Sequence, residues 1–278
     1  MKTPDVHLNH LYVHVDVTAQ NAIAESEFMR NEFANMEVST IEAGDDRAWT
    51  GIYLTGANTY IEFFSPSRAP SSLEQVGDSG VALSVEEVGG IERVAKCLGS
   101  MGRPRAPSLF ERKVDGDPIP WFWNLPLVEY PEGEAEPFCS WVMEVDRDFL
   151  TKSRGSLWSG GEGISRHQYN AAKFQATRYM KDIDEVTVAL NEFEAASFGR
   201  QLVALGYISE TCGGVRTLIG PDITFRLIEP SPTARGVTQL KMSLLKEKVG
   251  SEILTFGQGV TLSFDSGQTA IMSFSIIS

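Results

Sequence analysis

The chain has 278 residues, of which 42% are hydrophobic and 22% charged, enough for one large folded domain or two of ordinary size. Its 37 acidic residues exceed its 24 lysines and arginines, and the net charge of −13 argues against nucleic-acid partners and anionic membranes, because phosphate binding needs a basic surface. No apolar run reaches the roughly 20 residues that span a bilayer, and the N-terminus lacks signal-peptide features. The three cysteines form no CxxC pair. A cytoplasmic location is therefore expected.

The first predicted unit has the order β-α-β-β-β. Residues 7–16 (HLNHLYVHVD) alternate, so that His10, Tyr12 and His14 share one face of a strand. Apolar residues recur at helical spacing in 18–33. Three short predicted strands follow, separated by glycine and aspartate turns: MEVSTIEAG, AWTGIYLTG and NTYIEFFSP.

The second predicted unit repeats this order and closes near residue 146. Residues 80–87 (GVALSVEE) form its first strand, and 89–102 form an amphipathic helix that ends at glycine. The segments APSLFERKV, PWFWNLPLVEY and FCSWVMEVD are its other strands. Residues 151–178, which contain the flexible sequence SGGEG, then interrupt the pattern and are predicted to connect two halves, with one helix.

A third unit and a shortened fourth unit make up the rest of the chain. Residues 182–190 are a predicted strand and 192–206 a helix, followed by the strands YISET, GVRTLIG and DITFRLIEPS. The fourth unit contains strands but no convincing helix. The sequence therefore predicts an α+β protein of four related units of about 60 residues each, the alternative being ordinary α+β segments that are alike by chance.

Two segments carry a resemblance to a known superfamily. LNHLYVHVD and NTYIEFFSP place a histidine in the first strand and a glutamate in the last strand of a βαβββ unit, which resembles the vicinal oxygen chelate superfamily of glyoxalases, bleomycin-resistance proteins and extradiol dioxygenases. LNHLYV, EFMRNEF, WTGIYL and TYIEFF are also similar to an uncharacterised bacterial group of glyoxalase-like proteins. The resemblance implies tandem βαβββ units that form two glyoxalase-like half-barrel domains. These are 1–150, with a candidate metal site, and a degenerate domain at 179–278 whose last unit lacks its helix, joined by the connector 151–178.

The resemblance also implies one divalent metal ion in a U-shaped cleft. His10, Glu62 and Glu144 match three of the family's ligand positions, whereas the fourth falls near Gly80, which has no side chain to ligate. One imidazole and two carboxylates suit Zn, Mn, Fe or Ni, with a preference for the harder ions, and three protein ligands leave positions open for substrate. Alternation places Glu62 with Tyr60, and Glu144 with Ser140, on one face of their strands.

Further residues are expected to contact substrate or to move protons. Tyr12 and Tyr60 share the faces of the predicted ligands, and Trp121 and Trp123 share a face of the PWFWN strand, where they line either an aromatic pocket or a packed sheet. His14 is either a general base beside the metal or a polar residue at the rim of the barrel. Glu144 or Glu62 could act as the base instead of as a ligand, as the resemblance implies.

The sequence thus predicts a metal-dependent lyase- or isomerase-like enzyme that combines Lewis-acid and proton-transfer chemistry on a small oxygenated molecule, aromatic or carbonyl-bearing. The alternatives are a non-catalytic protein that binds or sequesters a small molecule and an Fe(II) extradiol-type dioxygenase. In the second half, Glu185 and Arg226 occupy the positions of His10 and Glu62, which predicts an ion pair in place of a metal. A homodimer is left open.

Overall fold

The computed structural model describes residues 5–45, 47–66, 74–101, 106–131, 134–154, 163–264 and 267–277, and these form two eight-stranded sheets. The first sheet contains β1 (His7–His14), β2 (Asn35–Glu42), β3 (Ala48–Thr55), β4 (Tyr60–Phe64), β5 (Ser79–Ser84), β6 (Ser108–Val114), β7 (Asp117–Pro126) and β8 (Phe138–Val145). The second contains β9 (Met180–Ala189), β10 (Ile208–Cys212), β11 (Val215–Ile219), β12 (Thr224–Ile228), β13 (Gly236–Lys248), β14 (Glu252–Phe256), β15 (Val260–Phe264) and β16 (Gly267–Phe274).

The helices are few and short. They are α1 (Val17–Glu25), a π-helix (Met29–Phe33), α2 (Gly90–Gly99), α3 (Phe149–Arg154), α4 (Arg166–Asn170) and α5 (Glu192–Ala204). The single helix predicted over 18–33 is thus divided in two. It begins one residue earlier than expected, because the Asp16 carboxylate accepts hydrogen bonds from the N–H groups of Thr18 and Ala19.

Strand order confirms the predicted repeat. The first sheet runs β2-β3-β4-β1-β5-β8-β7-β6 and the second β10-β11-β12-β9-β13-β16-β15-β14. In each βαβββ unit the first and last strands pair in parallel, as β1 does with β4 and β5 with β8. The first strands of two units pair antiparallel, as β1 does with β5. The fold is therefore α+β with two glyoxalase-like curled sheets, and the fourth unit, β13–β16, lacks its helix, as predicted.

One continuous apolar core joins the two sheets. Phe138 of β8 packs edge-on against Phe198 of α5, with ring centroids 5.2 Å apart, and Phe28 contacts Phe264 of β15 at 5.8 Å. Because these pairs connect the two halves of the chain, the core belongs to both. No helix in the described part of the chain is long and apolar enough to cross a membrane.

The other face of the first sheet is partly covered by α3 and by residues of the connector. Phe149 and Leu150 of α3, with Ile164 and Tyr169, pack onto buried aromatic residues of this face in a second, smaller cluster. Residues 155–162, which include most of the predicted SGGEG segment, lie outside the described residues. The candidate site lies on this same face of the first sheet.

Candidate functional site

A cavity of about 390 Å³ lies on the concave face of the first sheet, within the usual size range of small-molecule sites. Aromatic rings dominate its wall. They come from all parts of the first sheet: Tyr12, Trp49, Tyr60, Phe64, Phe110, Trp121, Phe122 and Trp141. Three acidic side chains, Glu62, Glu74 and Glu136, and one basic side chain, Arg47, also line it.

His10, one of the predicted ligands, lies on the wall of the cavity and is 6% exposed. Its ring stacks on Tyr60 with a centroid distance of 4.4 Å and meets Trp141 edge-on at 5.5 Å. Nδ1 lies 2.8 Å from Asn9 Oδ1, so Nδ1 carries the proton and Nε2 is left as an acceptor. Burial lowers the pKa of His10 to about 3, and the imidazole is therefore neutral at pH 7.

Glu62, the second predicted ligand, lines the same cavity as His10. It lies beside Tyr12 of β1 and Tyr53 of β3 in the strand register. Burial raises the pKa of Glu62 to about 8, against a smaller opposing effect of the positive charge on Lys173. At pH 7 this carboxyl group is largely protonated and can donate a hydrogen bond to a ligand.

His14 also lines the cavity, with Nε2 3.4 Å from Glu74 Oε2. Burial lowers the pKa of His14 to about 4 and raises that of Glu74. Desolvation therefore outweighs the attraction between the two groups, and His14 is neutral at pH 7. The position fits a residue that accepts or relays a proton at the cavity wall, and that role stays a prediction.

Glu144 is one of two predicted site residues that the structure does not bring to the cavity, the other being Trp123. Its two carboxylate oxygens accept hydrogen bonds from the N–H groups of Gly89 (3.0 Å) and Ile91 (2.9 Å) at the start of α2. Ser140 and Val142 do share its strand face, but on β8 the cavity side carries Trp141 and Met143. Alternation correctly grouped these residues and could not show which group faced the helix. The structure thus places Glu144 at the start of α2 and not at the cavity with His10 and Glu62.

The first strand of the second βαβββ unit has no room for a ligand side chain at Gly80. A Cβ atom at Gly80 would lie 2.2 Å from Cε1 of Tyr12, because the tyrosine ring fills the space where a ligand side chain of β5 would project. Farther along, β5 and β8 present Ala82, Cys139, Trp141 and Met143 to the cavity side. His10 and Glu62 line one cavity, but no three His, Cys, Asp or Glu side chains gather around a metal position in the described ranges. These residues do not fit a three-ligand metal centre.

Trp121 lies in the cavity wall as predicted, whereas Trp123 points away and is 36% exposed. The strand register explains the difference. Phe110 pairs with Phe122 and the next residue, Glu111, pairs with Pro120, so Trp121 is an extra residue in a β-bulge. The bulge turns Trp121 to the side of Phe122, and the prediction that both tryptophans share a face is wrong because it assumed an unbroken period of two.

Sequence reasoning missed several wall residues. Phe64 follows Glu62 at the same parity and could have been included, and Trp141 lies on the opposite parity from Glu144. Three more wall residues come from the outer parts of the sheet, which curve over the cavity. They are Arg47, just before β3, Trp49 of β3 and Phe110 of β6. In the second half, no ion pair forms between Glu185 and Arg226, both of which the structure describes, since Arg226 pairs with Thr187 in the register.

The paired βαβββ units and the concave site define a glyoxalase-like fold. The chain belongs to a family of unknown function, DUF5829, whose sequence profile matches residues 8–274. No curated protein matches the chain.

Several solved structures are similar to the chain at low sequence identity. A hypothetical protein from Staphylococcus aureus is 13% identical, with a TM-score of 0.51 over 90% of this chain and 95% of that one. A xylose isomerase-like TIM barrel/4-hydroxyphenylpyruvate dioxygenase fusion protein is 15% identical, with a TM-score of 0.44 over 85% of this chain and 35% of that one. A mutant 4-hydroxymandelate synthase from Streptomyces coelicolor is 13% identical, with a TM-score of 0.40 over 82% and 64%.

Proposed function

We propose that the protein binds a small organic molecule with an aromatic or apolar body in the cavity of its first sheet. The observation that carries the proposal is the wall itself, a 390 Å³ space lined by eight aromatic side chains. Aromatic faces bury a ring or a hydrocarbon with little loss of conformational entropy and add stacking or edge-on contacts. Such a wall is typical of a preformed ligand site.

The polar groups of the cavity support a ligand that carries an oxygen atom. Glu62 is largely protonated at pH 7, since its pKa is about 8, and its O–H can donate to a carbonyl or hydroxyl oxygen. Neutral His10, with a pKa of about 3, offers Nε2 as an acceptor. A few polar groups of this kind orient a ligand that apolar contacts hold.

Binding without a metal is the function that this geometry supports best. Glu144, the third expected ligand, stabilises the start of α2, and Tyr12 fills the space of the fourth ligand. The remaining wall suits sequestration of a ligand, or chemistry in which side chains alone move protons.

Tryptophan fluorescence can test the proposal, because Trp49, Trp121 and Trp141 line the cavity. A panel of neutral aromatic alcohols and ketones is titrated into the parent, Trp141→Leu and Trp123→Leu, with calorimetry as a second readout. We expect Trp141→Leu to weaken binding about tenfold, or ~1.4 kcal/mol. Trp123→Leu, outside the cavity, is the matched control and should bind as the parent does. The proposal is wrong if no compound binds or if both variants weaken binding equally.

The second candidate is the metal-dependent enzyme expected from the resemblance. The observation in its favour is that His10 and Glu62 line one cavity. When bound, a divalent ion would supply Lewis-acid activation of a ligand oxygen. The chain's own contribution would be to orient the ligand between aromatic rings and to hold a proton at Glu62 or His14.

Metal analysis separates the two candidates. The protein is purified without chelator, and its metal content and thermal midpoint are compared with those of His10→Ala and Glu62→Gln. Stoichiometric metal that both variants lose would favour the enzyme, and iron together with oxygen uptake would indicate a dioxygenase. Protein that stays metal-free after addition of Zn²⁺, Mn²⁺, Fe²⁺ or Ni²⁺, with an unchanged midpoint, favours the metal-free binding site.

A further inference from the structure

A second, smaller space of about 40 Å³ lies beside the main cavity. Tyr60, Glu62 and Trp121 line both spaces and form the wall between them. We refer to the smaller space as the side pocket. Its remaining wall comes from β2, β3, β6 and the connector, so it belongs to the same half of the molecule and is distinct from the aromatic site.

Arg112 of β6 is the charged residue that distinguishes the side pocket. Its guanidinium lies 5.4 Å from the centroid of the Trp121 ring, and it forms no ion pair with any residue in the described ranges. The chain carries a net charge of −13, so acidic partners are abundant. A half-buried arginine without one therefore leaves its hydrogen-bond donors available to another group.

Two uncharged donors lie in the same wall. Asn170 is 3% exposed and lines the side pocket. Tyr53 is 6% exposed, and its hydroxyl lies near the Trp49 indole but makes no hydrogen bond of normal geometry. A buried donor without a partner is unfavourable and rare in folded proteins. The Tyr53 hydroxyl therefore indicates that another group occupies the side pocket and accepts its hydrogen bond.

We propose that the side pocket binds a small oxyanion, with Arg112 as the anion-binding residue and Asn170 and Tyr53 as additional donors. A carboxylate fits this set best, because the planar guanidinium pairs with two oxygens at once. Lys173, which also lines the pocket, already pairs with Glu37 and contributes less. The anion is either a free ion or the carboxylate of a molecule whose body occupies the main cavity.

Two other groups bear on this assignment. Glu62 is the acidic residue in the pocket wall, and a negative charge there would oppose an anion. Water could also satisfy the donors, since one molecule needs only about 10–15 Å³ of such volume. The experiment must therefore distinguish an anion from water and from a cation attracted by Glu62.

Calorimetry and tryptophan fluorescence with four probes make this distinction. The probes are acetate, benzoate, benzyl alcohol and phenyltrimethylammonium, titrated into the parent and Arg112→Gln at constant ionic strength. Arg93→Gln is the matched control, because it removes the same charge from an arginine on α2 that pairs with Glu87. Circular dichroism and the thermal midpoint verify that each variant is folded.

The expected result is that benzoate binds about tenfold more tightly than benzyl alcohol, and that Arg112→Gln removes this preference without changing the affinity for benzyl alcohol. Tyr53→Phe, which deletes only the hydroxyl, should weaken benzoate about two- to fivefold. If acetate binds and its binding depends on Arg112, the side pocket takes a free anion. If benzoate binds but acetate does not, the anion is the carboxylate of a ligand whose body occupies the main cavity.

Two results would overturn the proposal. One is that no oxyanion binds with any dependence on Arg112, which leaves water as the occupant. The other is preference for phenyltrimethylammonium that Glu62→Gln abolishes. Binding of benzyl alcohol in either case shows that the aromatic site still functions, so failure of the oxyanion site is distinguishable from failure of the proposed function.

Discussion

At the scale of single residues, the cavity combines groups whose charged forms are disfavoured. Burial raises the pKa of Glu62 to about 8 and lowers the pKa values of His10 and His14 to about 3 and 4. These shifts have opposite consequences for stability, because one group resists losing a proton and the others resist gaining one. Both consequences can be measured.

Glu62 should make the free energy of unfolding fall as pH rises. The folded state holds the proton of Glu62 up to about pH 8, whereas the unfolded chain releases it near its ordinary value. Stability is therefore lost between about pH 5 and 8, in total on the order of a few kcal/mol. Urea denaturation of the parent and Glu62→Gln across this range, with chelator present, should show a flatter dependence for the variant. Parallel curves would contradict the assignment.

The two cavity histidines should make the free energy of unfolding fall at acidic pH. A folded pKa of about 3 for His10 lies below its ordinary value, so its contribution is complete above pH 6.5 and is lost as the pH falls toward 3. His10→Gln should reduce the loss of thermal midpoint between pH 6.5 and 4.5. His167→Gln serves as a control, since this histidine lines neither the main cavity nor the side pocket. Equal acid sensitivity in the parent and His10→Gln would show that His10 is not the cause.

At the scale of elements, the contact between β8 and α2 explains why Glu144, predicted as a metal ligand, instead stabilises a helix. The residue before α2 is Gly89, which has a positive φ of 70° and no side chain to cap the helix. Glu144 supplies acceptors from the neighbouring strand instead. A carboxylate at a helix N-terminus satisfies free N–H groups and complements the helix dipole.

Replacing Glu144 should therefore affect stability and leave the cavity unchanged. Glu144→Ala should lower the free energy of unfolding by about 1–2 kcal/mol, since two N–H groups lose their acceptor. Glu144→Gln, which keeps one acceptor oxygen, should lose less. Urea denaturation measures both, and the affinity for an aromatic ligand should match that of the parent. Loss of bound metal in Glu144→Gln would restore Glu144 as a ligand.

At the scale of the whole molecule, polar contacts bind the two halves together. Arg166 of α4 is 9% exposed and donates to Glu86 at 2.9 Å and to the carbonyl of Leu8 at 2.7 Å, and it pairs with Asp222 of the second half. With the shared apolar core, this network makes the halves mutually dependent. We expect them to unfold in one transition.

Arg166→Met tests this dependence. Removing the cation deprives the partly buried carboxylates of Glu86 and Asp222 of the guanidinium they share, and the free energy of unfolding should fall by about 3 kcal/mol. Arg93→Met, on an exposed helix face, should change it by less than about 1 kcal/mol. Denaturation followed by fluorescence and by circular dichroism should give coincident curves. Two separate transitions would show that the halves fold independently.

The sequence by itself determined the repeat of four units, their strand and helix order, the missing helix of the last unit, and the placement of His10, Tyr12, Tyr60 and Glu62 on one surface. These features depend on local periodicity and on the pairing of neighbouring strands, which the order of residues encodes directly.

Only the tertiary structure decided which face of β8 met the helix, where the bulge at Trp121 reversed the alternation, and that the Tyr12 ring filled the space above Gly80. Each of these depends on contacts between segments far apart in the chain, where packing selects between alternatives that are equal in local pattern. For that reason the acidic residues that the sequence grouped as one metal site separated into a largely protonated acid in the cavity wall, Glu62, and a helix-stabilising carboxylate, Glu144.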